Sequence, residues 1–204
     1  MNFVNEIVSD IETGSIRAQS GASSAVVLDR CQGYCVTSTY TVNTPAVKTF
    51  ADSNVVVLRD TIAIAAHGYP VGLKGQLTTT GTLPAGLSTG TDYFVIVVDA
   101  GNIQLAASLV DANAGTAVDI TAAAGGGTHT FTATALAGGG VKLQASINGS
   151  LWCDVSSSSA SVTTSGSTMW NVSNPYYKEV RIYYTLTAGQ ITTSSKIFAK
   201  GMEG

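Results

Sequence analysis

The chain has 204 residues, of which 11% are charged and 45% hydrophobic, and its formal net charge is −3. That balance carries no basic footprint for nucleic acid, and no apolar run is long enough to cross a bilayer as a helix. The length accommodates one large β domain or two small ones with a real core. The wealth of Gly, Ser, Thr, Ala and Val suits strands and tight turns. So low a charge fits a surface covered by partner subunits as well as it fits an ordinary uncharged β protein.

Residues 1–20 come first. Phe3, Val4, Ile7, Val8 and Ile11 recur at helical spacing, with Asn5, Glu6, Asp10 and Glu12 on the other face. This predicts a short amphipathic helix ended at Thr13-Gly14. About three turns are marginal in isolation, so the arm must dock, either on its own domain or on a neighbouring subunit. Its apolar face is the expected partner-binding surface. The opening residues hold acids and no basic n-region, so no secretory signal is expected and synthesis is expected in the cytosol. AVVLDR, YCVTSTYTV and SNVVVLR then read as strands up to residue 59. Cys31, Cys35 and Cys153 are the only cysteines. Nothing completes a zinc site around them, and buried free thiols are a simpler reading than a Cys31–Cys35 bridge.

The stretch 60–137 is the densest in strand and turn signals. IAIAA, GQLTTT, DYFVIVVD, NIQLAA and TAVDITA read as strands, LVDANAG as a helical turn and AGGGTHTF as a glycine-rich hairpin. Asp60, Asp92, Asp99, Asp111 and Asp119 stand here against Lys74 alone, which marks the stretch as an acidic, solvent-facing module. Beyond it, VKLQASINGSLWCDV places Asn148-Gly149 between two alternating segments, and this predicts a two-residue hairpin turn. Val141, Leu143, Ala145 and Ile147 would share one face, and Leu151, Cys153 and Val155 a face on the return strand. In YYKEVRIYYTLTA, Val180, Ile182, Tyr184 and Leu186 oppose Arg181, Tyr183 and Thr185, and ITTSSKIFAKG closes the series. The expected fold is all-β. Residues 21–59 plus 138–204 form an antiparallel sandwich or jelly roll, 60–137 is a β module inserted at one loop, and the short helix precedes both. Two tandem domains are the alternative.

No residue set points to catalysis. His67 lies in AHGYP and His129 follows three glycines, so both read as turn or edge residues. There is no G-x-S-x-G elbow and no phosphate loop of G-x-x-x-x-G-K-[ST] spacing. Trp152, Trp170, Tyr176 and Tyr177 could line a carbohydrate groove, though core or interface packing is the simpler reading. No catalytic, cofactor or metal-binding residue is therefore assigned.

Two stretches carry a resemblance. HGYPVGLKGQLTTTGTLPAGLSTGTDYFVIVVDAGNIQLAASLVDANAGTAVDIT, followed by GGGTHTF, resembles a small module that recurs inside virion proteins of tailed bacteriophages. The marks are the HG dipeptide, the G-T-L-P-A-G-L turn, the T-D-Y-F-V-I strand, and NIQLA before A-G-T-A-V-D-I. The stretch from SINGSLWCDV to YYKEVRIYYTLTAGQITTSSKIFAKG is similar, more loosely, to the β-sandwich of phage structural proteins. The resemblance implies a non-enzymatic virion component located in the virion. The amphipathic arm, the uncharged β body and the acidic projecting module make a capsid decoration (cement) protein on the major capsid protein, itself a homo-oligomer such as a trimer, the most specific expectation. Other positions implied are tail, neck or fibre, and a carbohydrate-binding module is the alternative outside the virion. Phe3, Val4, Ile7, Val8 and Ile11 would anchor it, with no nucleic acid, membrane or cofactor involved.

Overall fold

The computed structural model describes residues 6–28, 31–123, 125–173 and 176–201, with residues 6–8, 32 and 200–201 described by their backbone alone. In chain order the strands are β1 (Glu6–Arg17), β2 (Gly21–Ala22), β3 (Val26–Val27), β4 (Cys31–Asn43), β5 (Lys48–Ala51), β6 (Val55–Val56), β7 (Thr61–Ala63), β8 (Lys74–Thr79), β9 (Asp92–Asp99) and β10 (Asn102–Ala106). The helix α1 (Leu109–Ala114) follows, then β11 (Thr128–Ala133), β12 (Gly139–Ser146), β13 (Cys153–Asp154), β14 (Ala160–Ser161), β15 (Gly166–Ser173), β16 (Glu179–Leu186) and β17 (Gln190–Gly201). The fold class is all-β. The chain forms two compact units: one of Met1–Asn43, Leu136–Thr187 and Ile191–Gly204, the other of Thr44–Ala135 with Ala188–Gln190.

The first unit is a two-sheet sandwich. One sheet has the order β1-β17-β4-β15; the other runs β13-β12-β16-β2, with β14 also on β12 and β3 on β16. Alternation places the inward residues of both sheets in one apolar cluster: Val36 and Trp170, Leu143 and Val141, Ile182 and Val180, Ile191 and Ile197. Within that core the Tyr184 hydroxyl meets the hydroxyls of Ser38 and Ser195, each at 3.0 Å, and these two are 3.0 Å from each other. The triangle satisfies three buried hydroxyls at once and ties β16 of one sheet to β4 and β17 of the other.

The opening segment differs from the expected helix. Residues 6–17 form a strand, paired antiparallel with β17 from Glu6↔Lys200 to Arg17↔Ile191. A spacing of i, i+4, i+8 is a multiple of two, so it places residues on one face of a strand as readily as on one face of a helix. The neighbouring strand β17 of the same sheet supplies the partner that decides between them. Ile11 sits where the β1–β17 register shifts and is 5% exposed, within the unit's own core. Glu12 and Arg17 of the same strand form a part-buried ion pair, with the guanidinium 4.8 Å above the Tyr184 ring.

The second unit is a seven-stranded sheet of order β5-β11-β8-β9-β10-β7-β6. Every adjacent pair is antiparallel. Its buried face takes Leu77, Tyr93, Val95, Ile103, Leu105 and Phe131, and α1 covers Ile96 and Ala106 through Ala112. Ser108 caps α1, its Oγ accepting from the Asp111 N–H, and Gly115 ends the helix at φ 72°. β5 and β6 belong to this sheet, pairing with β11 and β7, whereas the sequence placed residues 44–59 with the sandwich. VVVLR reads as one continuous strand, but its second half turns through a 3-10 segment at 57–59.

Burial of tyrosines gives each unit an alkaline limit. Desolvation pushes Tyr69, 4% exposed, up to about 12, and also Tyr184, fully buried, up to about 12 against the opposing effect of its two serine partners. A raised folded-state pKa contributes stability that is complete below pH 10 and lost as pH climbs through 12, on the order of 2 kcal/mol for each group. In an alkaline titration these two phenols should ionise together with loss of the far-ultraviolet β signal. Tyrosinate absorbance that saturates with the fold intact would contradict this.

Candidate functional site

The two histidines are the natural place to look for chemistry. In the second unit His129 Nδ1 lies 2.8 Å from Thr79 Oγ1, and its Nε2 lies 2.6 Å from Asp52 Oδ1. A hydroxyl, an imidazole and a carboxylate in series have the connectivity of a nucleophile relay. The surroundings give it another role. His129 is fully buried, packed against the Phe50 ring at 5.1 Å. Thr79 Oγ1 also accepts from the Gly81 N–H, and Asp52 Oδ2 accepts from the Gly126 N–H. Every polar atom is spent on holding the 52–54 turn and the glycine loops to β8 and β11. His129 is thus not an edge residue but lies on β11, between β5 and β8. His67 does lie in an irregular segment, its Nδ1 accepting from the Tyr69 N–H and its Nε2 2.8 Å from the Asp99 carbonyl. Among the described residues no group of His, Cys, Asp and Glu is placed to hold a metal ion.

The aromatic residues proposed for a groove are dispersed. Trp170 is in the sandwich core, Tyr177 packs against it, and Tyr176 is 93% exposed. Trp152 lies on the outer face of the β12–β16 sheet, where the Arg181 guanidinium sits 4.1 Å from its ring. Gln144 Oε1 accepts from Arg181 Nε at 3.0 Å. Beside them Lys142 Nζ reaches Asp154 at 2.7 Å and lies 5.5 Å from the Tyr183 ring; its hydrogen bond, with that of Gln144, holds the Asp154 carboxyl below its usual range.

This outer face ends in exposed apolar residues. Ile147 and Leu151, 67% and 71% exposed, flank the loop after β12. Tyr176 enters the same end, since the Lys178 N–H donates to the Ser146 carbonyl at 2.8 Å, and Val27 pairs alongside at Glu179. A pinned arginine stacked on an indole, with exposed aliphatic side chains beside it, has the composition of an interface hot spot rather than of a reaction site. The alternation puts Ile147 on one face with Val141, Leu143 and Ala145, yet those three are buried and Ile147 is not. The loop spans more than two residues because Asn148 Oδ1 takes the N–H groups of Ser150 and Leu151, and Ser146 Oγ takes that of Gly149. Side-chain acceptors thus end the ladder early and turn these side chains out.

The expected anchoring face falls mostly outside what the structure describes. Phe3 and Val4 lie outside the described residues, as do the side chains of Ile7 and Val8; Ile11 is buried in the core. Cys31 and Cys35 lie on one strand, where four residues span about 13 Å, too far for a bridge. None of the three cysteines is in a disulfide; Cys31 and Cys35 are partly buried and Cys153 is exposed.

No protein-family model matches the chain, and no curated protein does. Solved structures give distant neighbours. One is VP17, a capsid protein of bacteriophage P23-77, at 8% identity and a TM-score of 0.28 over 100% of both chains. Another is the VP16-VP17 complex of the two major capsid proteins of the same phage, at 10% identity and a TM-score of 0.25 over 96% of this chain and 97% of that one.

Proposed function

We propose that this protein is a non-enzymatic structural component of a phage virion, in its most specific form a capsid decoration protein that binds the major capsid protein and stabilises the shell. The observation that carries the reading is the pair of exposed apolar residues Ile147 and Leu151 beside the Trp152–Arg181 stack on a sandwich sheet. It stands in a chain whose histidines are consumed by structural hydrogen bonds. The resemblance of the 60–137 stretch to a recurrent virion module supports the same reading. The mechanism is burial of that cluster across capsid subunits, which adds contacts that oppose outward pressure.

The test is binding to particles. Capsids stripped of the protein should lose heat and osmotic resistance and regain it when the protein is added back. Arg181→Ala should weaken particle binding at least about 10-fold, because the guanidinium is already held flat by Trp152 and Gln144. Its unfolding midpoint should stay close to that of the parent. Unchanged particle resistance with and without the protein would overturn the cementing role, and binding unaffected by Arg181→Ala would remove this surface from it.

A further inference from the structure

We infer that two copies of this chain associate through β15, edge to edge about a two-fold axis, to make one continuous sheet twice as wide. A sheet edge offers a row of main-chain donors and acceptors that only another extended backbone can satisfy, and native proteins blunt the edges they do not use. In the sandwich unit the other described edges are blunted. β1 is broken by register shifts at Asp10/Glu12 and Glu12/Ser15 and carries the Asp10–Lys196 pair. β13, β14, β2 and β3 are each two residues long.

β15 has none of these devices. It terminates its sheet and runs in unbroken register with β4 over Gly166↔Tyr40 to Ser173↔Gly33. Its sequence GSTMWNVS contains no charge and no proline. Met169 on its outer face is 61% exposed, and five of its eight residues are exposed. The occupant follows from the same facts. Charged strands repel their own copies, whereas β15 meets itself with Ser, Thr, Asn, Met and Val and no like charges opposite. A two-fold axis also makes the pairing antiparallel and isologous, so each copy uses its one long flat edge and the assembly closes as a dimer. The pairing leaves the Trp152–Arg181 cluster free and stands independently of the virion reading.

The test is the solution mass of the full chain by sedimentation and light scattering as concentration rises. The parent should be dimeric and Met169→Lys monomeric with an unchanged circular dichroism spectrum, because the substitution sets two ammonium groups near each other across the axis. Met169→Glu should likewise be monomeric, and mixing the two variants should restore the dimer. Amides of β15 should exchange at least about 10-fold more slowly in the parent than in either variant. A parent that remains monomeric to millimolar concentration would overturn the inference. So would a dimer that Met169→Lys leaves intact. Particle binding retained by the monomeric variant would separate this pairing from the capsid contact.

Discussion

Gly86→Ala should destabilise the seven-stranded unit by on the order of 3 kcal/mol, far more than a surface glycine normally contributes. Gly86 has φ +104°, and a Cβ there would stand 2.1 Å from the Asp119 carbonyl oxygen. That oxygen cannot yield. The Ile120 N–H beside it is held by Asp60 Oδ1 at 2.7 Å, and the Ala85 and Ala122 backbones are bonded on the next step. Around the glycine, Leu83 and Leu87 are buried and the Leu87 N–H returns to the Pro84 carbonyl. G-T-L-P-A-G-L is therefore a folded device, with two leucines as anchors, a proline-started turn, and a glycine where two backbones touch. Urea unfolding should show the loss as a lower midpoint. Gly90→Ala, at φ +71° with open space around the added carbon, should cost only about 1 kcal/mol. Equal midpoints for the two variants would refute the close-approach argument.

His129→Ala should be comparably severe, about 3–5 kcal/mol, and should lower the thermal midpoint by roughly 10 °C or more. The substitution opens a cavity against Phe50 and leaves Thr79 Oγ1 and Asp52 Oδ1 without their ring partner. Asp52→Asn should cost less, since the amide oxygen can still accept from the Gly126 N–H while the amide NH2 donates to the ring nitrogen of the other tautomer. If His129→Ala left the melting curve in place, the imidazole would not be the bracket described above.

Much of the strand content was legible because its signal is local. Val141, Leu143 and Ala145 on β12, and Val180, Ile182 and Tyr184 on β16, face the core as period-two alternation requires. The helical turn at LVDANAG was readable from Ser108 before it and Gly115 after it. What failed was decided at long range. β1 is a strand because β17, some 180 residues later, offers it an edge. TAVDITA looked like a strand and is held instead by single contacts, the Val118 N–H to the Leu105 carbonyl and an isolated bridge between Ala85 and Ala122. The Trp152–Arg181 stack left a trace in the sequence: Arg181 occupies the outward phase of β16, and Trp152, just before β13, stands in phase with Asp154. The Thr79–His129–Asp52 bracket left none, since its members are separated by 50 and 77 positions.

The pairing pattern of the sandwich also orders events in time. β1 waits for β17, β2 and β3 for β16, and β4 for β15. Each early strand has its antiparallel partner beyond residue 160, on the far side of the 44–135 unit. On a ribosome the seven-stranded unit emerges whole and can fold at once, while the strands ahead of it stay unpaired until some hundred further residues have been added. Loop closure across such separations is slow. An uncharged strand such as β4, left waiting, is exposed to pairing with the wrong copy. The small, quickly closed second unit then acts kinetically as a spacer, keeping the two halves of the sandwich tethered at a short distance while the rest of the chain arrives.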